Sequence, residues 1–268
     1  FTKSLFVVIS ANRFAHSGAK LLTNHLCNEP ILSHLVSTEL LVKPDFVTHD
    51  EECSLASELE YHLRKLHYQK DHWDYAISNY REVEKKLWNS SNHDIIQRLK
   101  CFTAETELPS PANLPVSRVV LPEVHVLDLA EDGEINAHVD NVRFCGGSIA
   151  VLSLLSDAIL RLAVAPPSEI TGVPIDQPSI HNIALPAAGC YVDVHVPRRS
   201  VYVMRGATRY LLTHAVLSNA EVASCFDKTQ SDLYRCHRVR RLSLLCRSQP
   251  RVKLQDFAQT YSDASLNH

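Results

Sequence analysis

Helices first and strands second predict an α+β fold for this 268-residue chain. The helical signal is clearest in "HDEECSLASELEYHLRKLH". It sets Leu55, Leu59, His62 and Leu63 at helical spacing behind Asp50, Glu51 and Glu52, acids that suit the positive end of a helix dipole. The character changes after about residue 117. There "RVVLPEVHVLDLA", "SIAVLSLLS", "AILRLAVA", "CYVDVHV", "SVYVMRG", "RYLLTHAVL" and "RRLSLLCRS" are short β-type runs broken by Gly, Pro, Asn and Asp. Some seven strands suit a jelly roll or a barrel. The expected architecture is a double-stranded β-helix (jelly roll) core with a helical N-terminal region packed on it.

In chain order, residues 1–28 carry Lys3, Arg13 and Lys20, and no acid precedes Glu29. Ser, Leu, Ala and Phe fill much of the rest. That composition resembles a mitochondrial transit peptide; an extension without function is the other reading. Residues 29–268 are expected to form a single domain, helical over 29–105 and jelly roll over 117–250. Within the helical part, "QKDHWDYAISNYREVEKKLW" mixes aromatics with charge. Trp73, Tyr75 and Tyr80 are expected to pack between the helices and the sheet, with a substrate wall as the alternative. Ile95, Ile96, Leu99 and Lys100 follow "SSNHD" and read as a second helix with its cap. Residues 106–115 form a loop with three prolines. "FCGGS" (144–148) reads as a turn whose glycines permit unusual dihedrals, and residues 165–189 as a Pro-rich loop.

Composition sets limits on function. Hydrophobic content of 45% and charged content of 21% are those of an ordinary globular protein. A net charge of -3 gives no global attraction to nucleic acid, so any such binding needs a local basic patch. The eight cysteines form no CxxC pair and are scattered through apolar runs. They read as reduced, mostly buried thiols of an intracellular protein. No run of about 18 apolar residues is present, so no membrane span is expected.

The chemistry begins at "INAHVDN". In an extended strand, residues i and i+2 share a face, so His138 and Asp140 can reach one metal ion. In a chain with 15 histidines such a pair alone is a weak signal. His214, near the end of the run "RYLLTHAVL", is the best third ligand. Two histidines and one carboxylate on one face of an octahedron leave three positions open, the arrangement of non-haem Fe(II) oxygenases. "RRLSLLCRS" then places Arg241 and Arg247 on one side of a strand, an even number of residues apart. Two arginines aimed into an apolar interior are costly unless they meet anions. A dicarboxylate such as 2-oxoglutarate supplies two. The other reading is a solvated basic surface around Arg235, Arg238, Arg240 and Arg241.

The order His-x-Asp, a distant His, then two arginines on a following strand resembles the AlkB family of Fe(II)/2-oxoglutarate dioxygenases. "DHWDYAI", "YREVEKKLW", "VHVLDLAEDGEINAHVDNVRFCGGSIAVLSLLS", "SVYVMRGATRYLLTH" and "RRLSLLCRS" carry the resemblance over roughly residues 40–250. It implies that His138, Asp140 and His214 ligate Fe(II). It implies that Arg241 pairs with the distal carboxylate of 2-oxoglutarate, that Arg247 lies nearer the metal-chelating one, and that Tyr202 hydrogen-bonds the co-substrate. Where DNA-repairing relatives carry an asparagine and a tyrosine upstream of His-x-Asp, this chain has Leu127 and Leu129.

The resemblance further implies oxidation of a substrate C–H bond by O2, coupled to decarboxylation of 2-oxoglutarate to succinate. If the carbon is an N-methyl, formaldehyde leaves and the outcome is demethylation. The span before His-x-Asp, "CFTAETELPSPANLPVSRVV", lacks an aromatic and basic lid for a flipped base. No duplex DNA is therefore expected. The resemblance points to the mitochondrial matrix, to roles in regulated necrosis and fatty-acid metabolism, and to a protein or small-molecule substrate. Demethylation of mitochondrial RNA, with Arg235, Arg238 and Arg240 on phosphates, is the alternative. A metal-binding interaction protein without turnover and a zinc hydrolase are alternatives of other classes; neither needs the paired arginines.

Overall fold

The computed structural model describes residues 20–23, 30–73, 75–108, 114–170, 172–173, 178–229 and 235–250. Apart from Lys20–Thr23, the expected targeting segment lies outside them. The chain runs β1 (Lys20–Thr23), α1 (Pro30–Glu39), β2 (Leu40–Lys43), α2 (His49–Leu63), β3 (Gln69–Asp71), β4 (Ile77–Lys85), α3 (Ser90–Glu105) and α4 (Val116–Val119). It continues through β5 (Val124–His138), β6 (Ile149–Leu154), β7 (Ala158–Val164), α5 (Pro178–His181), β8 (Tyr191–Val196), β9 (Val201–Met204), α6 (Gly206–Tyr210), β10 (Leu212–Val216), α7 (Asn219–Thr229) and β11 (Arg241–Arg247).

Local chemistry starts and stops these elements. Thr48 opens α2: its Oγ1 accepts from the Glu51 N–H at 3.2 Å, and Glu51 Oε2 accepts from the Thr48 N–H at 2.8 Å. This reciprocal box satisfies two donors the helix leaves open. Leu55, Leu59 and Leu63 then recur every four residues and are fully buried, each contributing about 1.5–3 kcal/mol by leaving water. α3 answers with Ile95, Ile96, Leu99 and Thr103 on its buried side. The strands follow the period of two. In β11, Leu242, Leu244 and Cys246 face α2 and α3, while Arg241, Ser243, Leu245 and Arg247 face the interior.

All strand pairs are antiparallel, in the order β1-β8-β7-β10-β5-β11-β6-β9-β2, with β3 on β4 and β4 on β5. The long β5 joins two layers. Its first part, His125 to Leu129, pairs with β11, whereas Ile135 and His138 pair with β10. The strand changes partner around Gly133. A Cβ there would lie 2.8 Å from Ser78 O and 2.7 Å from Asn79 O, so glycine alone lets β4 cross this closely. The Arg238 guanidinium donates to the carbonyls of Ala130, Glu131 and Gly133 and pins the same place.

Two cores result. One lies between the layers and gathers Leu127, Leu129, Val151, Leu160, Leu162, Val194, Tyr202 and Leu212. The other lies between the outer face of the β11 layer and the helices, and joins Leu55, Leu59 and Leu99 to Val126, Leu152, Leu242 and Leu244. The jelly roll with helices packed on it matches the sequence expectation. The N-terminal part is less purely helical than expected. β2 adds to β9, and β4 covers β5, because the sheet edges need partners for their open backbone groups.

Three smaller expectations change. Trp73 and Tyr75 are 84% and 76% exposed; only Tyr80, at 1%, packs in the core. Gly146 and Gly147 serve close approach rather than unusual dihedrals: a Cβ on Gly147 would lie 2.6 Å from Glu107 Oε1, and one on Gly146 would meet Gln249 O. Cys190 is disulfide-bonded, and of the free thiols only Cys145 and Cys246 are fully buried. The reading of reduced, mostly buried thiols does not hold.

Candidate metal centre and co-substrate cavity

β5 ends at His138, and β10 places His214 directly opposite it. The two imidazoles lie 4.3 Å apart between ring centroids. Asp140 comes two residues later, beyond the strand. Its carboxylate still reaches to 3.9 Å from His138 Nε2 and 3.7 Å from His214 Nε2. The extended run expected through Asp140 therefore stops at His138, and the turn after it brings the carboxylate back. The His138 Nδ1 lies 2.8 Å from the Asn136 carbonyl oxygen. That oxygen only accepts, so Nδ1 carries the proton and Nε2 keeps its lone pair for a cation.

The electrostatics suit a divalent ion. Burial raises Asp140, but the cationic field of His214, Arg209, His138 and Arg247 outweighs it and holds the carboxyl at about 2. Burial, with His138 beside it, pulls His214 down to about 3 against the attraction of Asp140. At neutral pH the pair is thus a carboxylate and a neutral imidazole, both in ligand form. Arg209, fully buried on α6, braces the turn. It donates to Gly146 O at 3.1 Å and to Asp140 O at 2.9 Å, and its Nη2 meets Cys145 Sγ at 3.1 Å. The sequence reading missed this arginine, which carries no spacing signal.

Every residue expected at the site lines one cavity of about 100 Å³: His138, Asp140, His214, Tyr202, Arg241 and Arg247. Leu127 is on the wall, and Leu129 lies behind it in the inner core. Arg241 is 1% exposed and donates from Nε to Ser153 Oγ at 2.9 Å. Its Nη2 is buried with no partner among the described residues. Burial pushes the Tyr202 phenol up, partly offset by the Arg241 charge next to it, so it stays a neutral hydroxyl. Arg247 differs, for its Nη2 already meets Glu84 Oε1 at 2.7 Å. His125 and Ser243 also line the cavity and were not anticipated. His125 lies two residues before Leu127 on one strand face, and that parity was readable.

The residues present fit both implied groups. The three ligand atoms lie within 4.8 Å of one another, as a facial set requires, and the unpartnered Nη2 is a place for a carboxylate oxygen. The basic cluster proves otherwise engaged. Arg238 is buried against β5 carbonyls, and Arg240 is held by Asp128 and Glu60. Neither is free for phosphate.

A jelly roll with an open face of two histidines and one carboxylate is the class of the non-haem iron oxygenases. Comparison with known proteins narrows this. The chain is 36% identical over 79% of its length to the mouse (Mus musculus) alpha-ketoglutarate-dependent dioxygenase alkB homolog 7, mitochondrial, also covering 79% of that protein. It is 34% identical to the Bos taurus protein of the same name, covering 82% of each. The chain belongs to this alkB homolog 7 family of alpha-ketoglutarate-dependent dioxygenases. No family model matches it. Among solved structures, OsALKBH1 aligns with a TM-score of 0.45 at 15% identity, over 79% of this chain and 97% of that one. A Trichoplax adhaerens prolyl hydroxylase, in complex with a hypoxia inducible factor peptide fragment, aligns with a TM-score of 0.48 at 9% identity, over 84% and 90%. Among the described residues no helix is long and apolar enough to cross a membrane.

Proposed function

We propose that the chain oxidises a C–H bond of a protein or small-molecule substrate in the mitochondrial matrix. His138, Asp140 and His214 hold Fe(II), while Arg241, Tyr202 and Arg247 hold 2-oxoglutarate. The observation that carries this reading is the buried, half-satisfied Arg241 on the same cavity as the three ligands. When bound, iron and 2-oxoglutarate together supply the oxidising power drawn from O2, which protein side chains lack. The chain supplies the rest. Arg241 and Tyr202 grip the distal carboxylate and set the distance to the metal end. Arg247, steadied by Glu84, borders that end. Leu127, Ile149 and Val151 keep water off the reacting centre.

So small a cavity leaves room for the co-substrate, and the primary substrate approaches at the rim. Near it, the Tyr75 carbonyl accepts from the Asn136 side chain at 2.8 Å, two residues from His138. Phe144, 67% exposed, stands four residues after Asp140. The engagement of Arg238 and Arg240 within the fold favours a protein or small molecule over RNA. We further propose a part in regulated necrosis and fatty-acid metabolism, the role that the sequence resemblance implies.

The test is succinate formation by the full chain with Fe(II), 2-oxoglutarate and O2, beside His138→Ala and Arg241→Ala. Turnover without added substrate is expected in the wild type and in neither variant. Failure of the wild type to bind either iron or 2-oxoglutarate would sink the reading in favour of a non-catalytic interaction protein. Formaldehyde release from N-methylated RNA would favour the alternative, demethylation of mitochondrial RNA.

A further inference from the structure

A second group of metal-ligand side chains stands on the other side of the inner layer. Along β8, Val192, Val194 and Val196 enter the inner core. The alternate residue His195 therefore points to the outer face, opposite Ile159 of β7. Asp157, in the turn between β6 and β7, meets it there: Oδ2 lies 2.9 Å from His195 Nε2. The other oxygen, Oδ1, accepts from the Arg198 N–H at 2.7 Å, which fixes the carboxylate and leaves Oδ2 turned inward. Cys236, from the segment leading into β11, completes the group. The oxygen, nitrogen and sulfur atoms lie within 4.8 Å of one another. Cys236 is half-buried and packs beside Ile159, Leu217 and Val222.

We propose that Asp157, His195 and Cys236 form a second, structural divalent-cation site of the zinc type, independent of the iron reading. The donor set argues for it. A thiolate and an imidazole beside the carboxylate suit borderline-soft zinc and not magnesium or calcium, which take oxygen ligands. A carboxylate and a thiolate together balance a charge of two. Zinc bonds of about 2.0–2.3 Å put ligand atoms roughly 3.3–3.8 Å apart, so the Asp157–His195 hydrogen bond of 2.9 Å opens by a few tenths of an ångström and the Cys236 side chain rotates toward the pair to close the triangle, with water as a fourth ligand. Burial and the Asp157 charge push the thiol up to about 11. The sulfur therefore keeps its proton without a cation, and binding replaces that proton with a metal–sulfur bond and releases it to solvent. The site ties three segments distant in sequence. One of them continues into Arg238 and Arg241, so a cation there braces the approach to the co-substrate strand.

The full chain, stripped of metal by chelation, would be titrated with Co(II) alone. The ligands His138, Asp140 and His214 contain no sulfur, so a thiolate-to-cobalt charge-transfer band in the near ultraviolet that is lost in Cys236→Ser reports the proposed site. The band is expected to saturate within two equivalents, the other being taken by His138, Asp140 and His214, to disappear on adding Zn(II), and to vanish in Cys236→Ser and His195→Ala. It is expected to persist in His138→Ala and Cys145→Ser. No such band in the wild type, or one that survives Cys236→Ser, would overturn the proposal and leave Asp157 and His195 as a plain ion pair. The wild type and Cys145→Ser decide the first point even if the other variants fold poorly.

Discussion

Arg240 and Arg241 are neighbours in sequence and stand on opposite faces of one layer. Outside, Arg240 donates to both oxygens of the buried Asp128 at 2.8 Å and to Glu60 at 2.7 Å. Arg81 meets the same Asp128 at 2.7 Å. Inside, Arg241 meets the neutral hydroxyls of Ser153 and Tyr202 and keeps a bare Nη2. The fold supplies a carboxylate to one arginine and withholds it from the other. Desolvating a guanidinium without an anion costs several kcal/mol, so the inner position makes sense once a ligand brings the carboxylate.

That contrast is open to mutation. Asp128→Ala removes the anion shared by Arg81 and Arg240, and a loss of about 3–5 kcal/mol is expected in chemical denaturation. Arg241→Met is expected to do the reverse and leave the ligand-free protein as stable as the wild type, or more so. Its loss appears on ligand binding: 2-oxoglutarate at a hundred times its Kd should stabilise the wild type by about 2.7 kcal/mol and the variant not at all. Melting curves with and without 2-oxoglutarate measure both, and a variant that still gains would break the comparison. Arg240→Met, partly exposed, should cost about 1 kcal/mol without moving the KM for 2-oxoglutarate. Arg247 is the intermediate case, since Glu84 already partners it. Glu84→Gln should change stability by under about 1 kcal/mol, and Arg247→Met should raise the KM less than Arg241→Met.

The strands after residue 117 were legible because β-type runs are broken there by Gly, Pro, Asn and Asp; parity along a strand paired His138 with Asp140 and Arg241 with Arg247, while His214 was read from its place in a later strand and Tyr202 from the family resemblance. β4 was not legible as a strand. It lies over β5 with both faces part-exposed, which erases the alternation that marks a strand. Asp128 was visible as a charge inside "HVLDLA", yet its partners Arg81 and Arg240 come from distant elements. The same holds for Arg209, whose role depends on where α6 meets the Asp140 turn. Asp157, His195 and Cys236 share no spacing at all; only the folded chain unites them.

β5 has a consequence for the order of folding. One strand must find β4 before it, β10 and β11 long after it, and change partner midway. Such distant pairings form slowly, because chain entropy is lost before contacts compensate. His138 and His214 meet only when β10 pairs with β5, so a chain short of that pairing has helices but lacks the proposed metal site. Capture of a metal there would report the joining of segments distant in sequence, not the forming of any one element.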